Sequence, residues 1–239
     1  LITPVLATLL LASCSTELPG GTATVPPVGS PAPSAGATPD EQGLTVAFLG
    51  DSITSGFGDI DYTTIWPEIV SDEYGWRLEQ FSVAGTGYLA PDTATSFGSR
   101  VRTIVAARPD VVVIAGGTND VMYPVNEVTD AAADVLDTLA EELPDTQIVL
   151  LSAFFQPALI SGTLPDGRDV ADIVDEQTDA LQNLAEERGI RFIDTRPLFE
   201  ERDVDGLILP DGVHPNNAGH EFIAEYLGPL VAEAIAVER

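Results

Sequence analysis

The chain has 239 residues, 44% hydrophobic and 20% charged, which fits one domain of moderate size plus extra segments. Acidic residues outnumber basic ones 38 to 10, the formal net charge is −28, and every basic side chain is an arginine. That balance argues against nucleic-acid binding and a basic membrane patch, since both need clustered cations; one cysteine and two histidines exclude an internal disulfide and argue against a structural zinc site.

The first stretch, Leu1 to Ser13, is uncharged and mostly apolar. It is too short to span a bilayer as a helix and has the length of a signal-peptide core. "LASC", Leu11 to Cys14, resembles the lipobox of bacterial lipoproteins, in which the cysteine is lipidated. The resemblance makes residues 1–14 a truncated lipoprotein signal segment and Cys14 the lipidation site. The alternative is an ordinary secretory cleavage with Cys14 incidental. Stable anchoring takes more than one acyl chain. Residues 15–43 are rich in Pro, Gly, Ala, Ser and Thr and lack hydrophobic periodicity. They are expected to form a disordered, extended tether.

From Leu44 onward the pattern changes to short apolar runs alternating with helix-period stretches. Strands are predicted at Leu44–Leu49, Leu78–Val83, Val111–Ala115, Ile148–Ser152 and Ile190–Ile193. Helices are predicted over Ile65–Tyr74, Phe97–Ala107, Glu127–Glu142, Val170–Arg188 and Ala218–Val237. Continuous apolar strands separated by helices predict a parallel sheet covered on both faces. The fold class is therefore α/β: a three-layer α/β/α sandwich over residues 44–239, with five parallel strands in the order 2-1-3-4-5. In such a sheet the working site lies beyond the carboxyl ends of the strands.

Four small or polar stretches fall at that edge. Asp51-Ser52 follows the first strand, "AGTG" (Ala84–Gly87) the second and "GGTND" (Gly116–Asp120) the third. "PDGVHPN" (Pro210–Asn216) lies between the fifth strand and the last helix. Acyl chemistry on serine needs a nucleophile, a base oriented by a third group, and donors aimed at an oxyanion. Asp211 lies three residues before His214, and Gly212 permits a tight turn between them. Asp211 can accept from Nδ1–H of His214, leaving Nε2 to face Ser52. The N–H groups of Ser52 and Gly85 and the Asn119 amide are candidate oxyanion donors, with Gly87 as the fallback for Gly85. Each also has a bland reading: Ser52 as a helix N-cap, Asn119 as a turn residue, Asp120 as a helix cap. His220 is read as packing or hydrogen bonding, and Asn216 as the cap of the last helix. Tyr88, Tyr123, Phe154 and Phe155 follow strand ends and are candidate substrate-pocket residues.

"GDSIT", "AGTG", "GGTND" and "DGVHPN" resemble, in order, blocks I, II, III and V of the SGNH hydrolases, the GDSL-type esterases and lipases. Ile53 stands where the name-giving motif has Leu, and "AGTG" is the loosest match. The resemblance spans the folded domain and implies a flavodoxin-like SGNH hydrolase fold; no cofactor and no metal are expected. By it, Ser52, Asp211 and His214 form the catalytic triad, and Ser52, Gly85 and Asn119 form the oxyanion hole. The absence of G-x-S-x-G around Ser52 separates this loop from the α/β-hydrolase elbow.

The function expected on this basis is a serine esterase cleaving short-chain acyl or acetyl esters through an acyl-enzyme on Ser52. The alternatives are an O-acyltransferase, a lysophospholipase or thioesterase with the same triad, or a silent glycan-binding module. The expected partner is a small-molecule or glycan ester. Membrane contact is expected only through a lipid anchor at Cys14, facing outward from the cell, with no nucleic acid and a monomeric state.

Overall fold

The computed structural model of the chain describes residues 43–154, 162–200 and 206–236. The chain divides into two units, Leu1–Ala37 and Thr38–Arg239. The first lies outside the described residues, as do the lipobox at Cys14 and the tether expected over 15–43, save its last residue, Gly43.

The second unit is built on β1 (Thr45–Gly50), β2 (Arg77–Gln80), β3 (Val111–Ala115), β4 (Gln147–Leu151) and β5 (Arg191–Ile193). They form one parallel sheet in the order β2-β1-β3-β4-β5, the order predicted from the alternation of strands and helices. The central strands β1 and β3 are buried along their whole length. This is why they read as unbroken apolar runs rather than as an alternating pattern. β2 begins and ends earlier than Leu78–Val83. Beyond its end, Phe81 N–H donates to the Phe48 carbonyl and Val83 N–H to that of Gly50. The apolar run thus follows the backbone pairing past the regular strand.

Successive side chains of each strand point to opposite faces, so the sheet carries two cores. Val46, Phe48, Val111, Val113, Val149 and Leu151 pack with Trp66 and Val70 of α2 (Trp66–Tyr74) and with Ile223, Leu227 and Val231 of α7 (Asn217–Ala236). Ala47, Leu49, Val112, Ile114 and Leu150 face the other way. They meet α3 (Phe97–Ala107), α4 (Val125–Glu142) and α5 (Val170–Arg188). The three-layer sandwich follows from that division.

Two short helices escape the periodicity of the sequence: α1 (Ser52–Ser55) and α6 (Pro197–Glu200), each four residues long. One turn is too short to show a 3.6-residue pattern. α1 starts directly at the end of β1, so the sheet's carboxyl edge delivers Ser52 at a helix N-terminus.

Candidate active site

Asp51 caps α1 through its side chain. Its Oδ1 accepts from the Ile53 N–H at 2.9 Å, and its carbonyl accepts from Thr54 and Ser55. The bland reading of this turn therefore belongs to Asp51, not Ser52. Ser52 is the first residue of the helix, and its N–H has no intrahelical acceptor by geometry. Its side chain is nearly buried.

His214 reaches Ser52 from the loop before α7. Its Nε2 lies 2.9 Å from Ser52 Oγ, and its Nδ1 lies 2.7 Å from Asp211 Oδ2. With Asp211 accepting from Nδ1–H, Nε2 is left to accept from the serine hydroxyl. The loop is pinned on itself. Asp211 Oδ1 accepts from the N–H groups of Val213 and His214, and Leu209 N–H donates to the His214 carbonyl at 2.7 Å. Partial burial pushes the Asp211 carboxyl up. The backbone N–H groups of His214 and Val213 and the His214 ring more than offset this and hold it below the ordinary carboxylate range. The lowered value favours the carboxylate, the form that accepts from Nδ1–H.

The loops after β2 and β3 meet at Asn119. Its Nδ2 donates to the Thr86 carbonyl at 2.9 Å, which sets the amide beside Gly85. A primary amide carries two hydrogens, so one remains for the site. Gly85 sits at φ +76° with open space where a side chain would be. Gly87 N–H donates to the Ala90 carbonyl at 2.9 Å, so this fallback is already engaged, which leaves Gly85 as the candidate of the pair.

Asp120 has a larger role than a helix cap. It is fully buried, and its carboxylate accepts from three successive backbone N–H groups, Tyr88, Leu89 and Ala90, at 2.7–3.0 Å. A Cβ at Gly87 would lie 2.2 Å from Asp120 Oδ2, so only glycine lets the loop come this close. Arg100 of α3 braces the same loop by donating to Thr86 Oγ1 at 2.9 Å. Asp120, the last residue of the third stretch, thus clamps the loop after β2 that carries Gly85. A pairing between residues about thirty positions apart has no local signature in sequence.

The four aromatics read as pocket residues divide differently. Tyr88 is buried against Phe97, and Phe154 is buried near Trp66. Both are core residues, Phe154 in the cluster with Trp66 of α2 and Tyr88 in the cluster with Phe97 of α3. Tyr123 is half-buried, with its hydroxyl on the Pro91 carbonyl. Phe155 lies outside the described residues. Among the described residues an aromatic that reaches the site is Phe57, whose ring stacks on the His214 imidazole with centroids 4.1 Å apart and planes 27° apart. Nothing in the local sequence distinguishes it.

His220 is fully buried in α7, where its Nδ1 accepts from the Trp66 N–H. Burial, with a smaller push from the charge of His214, lowers its pKa to about 4. It is the packing histidine expected. Asn216 caps α7 through Oδ1, which accepts from the Gly219 N–H at 3.0 Å. Among the described residues no group of three or more His, Cys, Asp or Glu is arranged to hold a metal ion.

A serine, a histidine and an aspartate in one hydrogen-bonded line, on the carboxyl edge of a 2-1-3-4-5 parallel sheet, define a serine hydrolase of the SGNH type acting on ester bonds. The chain belongs to the GDSL-like lipase/acylhydrolase family, whose pattern matches residues 48–222. It is 27% identical over 199 residues to a GDSL lipase of Mycobacterium tuberculosis, covering 78% of this chain and 81% of that protein. It is 28% identical over 228 residues to an acetylxylan esterase of Xylanibacter ruminicola, covering 81% of this chain and 44% of the relative. In fold it is similar to the psychrotrophic esterase EstA of a Pseudoalteromonas species. That match has a TM-score of 0.61 and 16% identity, over 80% of this chain and 97% of the other.

Proposed function

We propose that the chain hydrolyses short-chain acyl or acetyl esters through an acyl-enzyme on Ser52. The observation that carries this reading is the unbroken line Asp211 Oδ2, His214 Nδ1, His214 Nε2, Ser52 Oγ, with gaps of 2.7 and 2.9 Å. His214 takes the hydroxyl proton as Oγ bonds to the ester carbonyl carbon. The carbonyl oxygen becomes an oxyanion, which the N–H groups of Ser52 and Gly85 and the free amide hydrogen of Asn119 stabilise. Collapse breaks the bond to the alcohol oxygen, which receives the proton from Nε2 and leaves. Water then adds to the acyl carbon while His214 takes its proton. The acid departs and Oγ is protonated again. Asp211 holds the ring and stabilises the imidazolium throughout.

Two observations support a short acyl group. Tyr88, the aromatic nearest in sequence to Gly85, and Phe154, which follows β4, are committed to the core. The acetylxylan esterase relative is named for an acetyl ester. Attachment to the outer face of a cell membrane through Cys14, with residues 15–43 as the tether, is part of the same proposal and rests on the lipobox-like "LASC". Among the described residues no helix is long and apolar enough to cross a membrane.

A panel of p-nitrophenyl esters from acetyl to palmitoyl tests the acyl preference. Turnover should be highest for the shortest acids, and a maximum at palmitoyl contradicts it. Added hydroxyl acceptors in the same assay separate hydrolysis from acyl transfer by the product formed.

A further inference from the structure

The esterase mechanism leaves the two halves of the substrate on different sides of His214. The carbonyl oxygen points to the donors at Gly85 and Asn119. The alcohol oxygen must come within hydrogen-bond reach of His214 Nε2, roughly 2.6–3.2 Å, to receive its proton. A side chain stacked on the imidazole face stands beside the path by which the alcohol reaches Nε2.

Phe57 occupies that place. Its ring covers the imidazole at 4.1 Å, yet 43% of the residue is exposed. Exposed apolar side chains gathered at a site offer a ligand an apolar contact surface. The position is also built. Gly56 and Gly58, at φ +78° and +80°, flank Phe57. A Cβ on Gly58 would come within 3.0 Å of Leu209, and one on Gly56 within 2.8 Å of Ile65. The turn is thus packed between α2's entry and the loop carrying Asp211 and His214. Tyr62 donates its hydroxyl hydrogen to the Gly58 carbonyl. Val213, next to His214, is also exposed, at 37%.

We propose that Phe57 and Val213 form the subsite for the leaving alcohol, and that this subsite selects alcohols presenting a flat carbon face, such as an aryl or cyclic group. The inference rests on the esterase reading of Ser52. A planar ring offers such an alcohol a surface to stack on, whereas a short linear alcohol covers little of it. Contact over roughly 50 Å² of apolar surface corresponds to about tenfold in kcat/KM.

The test compares benzyl acetate with ethyl acetate, which share the acyl group. The wild-type protein should favour benzyl acetate. In Phe57→Ala the benzyl-to-ethyl ratio of kcat/KM should fall about tenfold, and in Phe57→Trp, which keeps a flat ring, it should hold. The preference between p-nitrophenyl acetate and butyrate should not change in either variant, because the acyl side is untouched. A wild-type protein indifferent to the alcohol, or a ratio unchanged in Phe57→Ala, overturns the subsite. Loss of the ratio in both variants overturns the stacking basis. If instead Ser52→Ala still hydrolyses these esters, the esterase reading itself fails, and the two failures are told apart.

Discussion

Asp120, Asn119 and Asp211 differ in their contacts, so that removing each has a different signature. Asp120 is buried with three backbone donors on its carboxylate, so Asp120→Ala strands three N–H groups in the interior. We expect a loss of stability of about 3 kcal/mol or more, read from urea denaturation. Asn119→Ala should leave stability nearly unchanged and lower kcat by about 10²–10³, with little change in KM, since an oxyanion donor acts in the transition state. Asp211→Asn should lower kcat by about 10²–10⁴, because an amide no longer enforces the tautomer that leaves Nε2 free. Ser52, Asp211 and His214 were legible in sequence because short motifs bring Asp and His into one loop and set Ser at a strand end. Phe57 and the Asp120 clamp were not. Both contacts join loops that are distant in the chain, and neither residue type is unusual where it stands.

The elements themselves follow closely from hydrophobic period. Predicted and observed bounds coincide for α3, β3 and α5, where fully buried strands and amphipathic helices leave the strongest pattern. They drift at β2, whose residues are half-buried or exposed, so that no apolar run marks where it starts. Between α4 and α5 two kinds of contact can be compared. Leu181 of α5 is fully buried in the core, and Leu181→Ala should cost about 2–5 kcal/mol. Arg188 of α5 makes a bidentate ion pair with Asp137 of α4, at 2.7 and 2.9 Å, with the carboxylate well exposed. An exposed pair stabilises little, so Arg188→Ala should shift the urea midpoint by less than about 1 kcal/mol in free-energy terms. The packing of helices on the sheet, not the ion pairs between them, sets the geometry of the site.

At the scale of the molecule, buried groups give stability an unusual pH dependence: Asp51 and His220 act in opposite senses, and burial raises Asp120 in the same direction as Asp51. Burial pushes the Asp51 carboxyl up to about 7 against the Ile53 N–H that favours its charge, with Asp120 adding to the rise. The native state therefore keeps a proton that the unfolded chain releases near pH 4. Asp51's contribution is full below that pH and is lost as pH rises through 7. His220, lowered to about 4, behaves in the opposite sense. The unfolded chain binds its proton below about 6.5, so its contribution is present above that pH and is lost as pH falls toward 4. Between about pH 4 and 6.5 the two slopes oppose each other. Asp51→Asn keeps a side-chain oxygen for the cap and removes one slope, so its stability should climb with pH by up to about 1.4 kcal/mol per unit across that window. Urea midpoints at pH 4.5 and 6.5 check this, and a climb no steeper than the wild type's would contradict it. With a net charge of −28, the folded chain also repels itself, and added sodium chloride should raise Tm by screening.

The central claim is that the ester's acyl group passes through Ser52. Acid quench of the protein during p-nitrophenyl acetate turnover, followed by peptide mass spectrometry, tests it most directly. The account predicts an acetyl group on the peptide containing Ser52, a burst of p-nitrophenol of about one equivalent, and neither in Ser52→Ala. Acetyl on another residue, or undiminished turnover in Ser52→Ala, would contradict it.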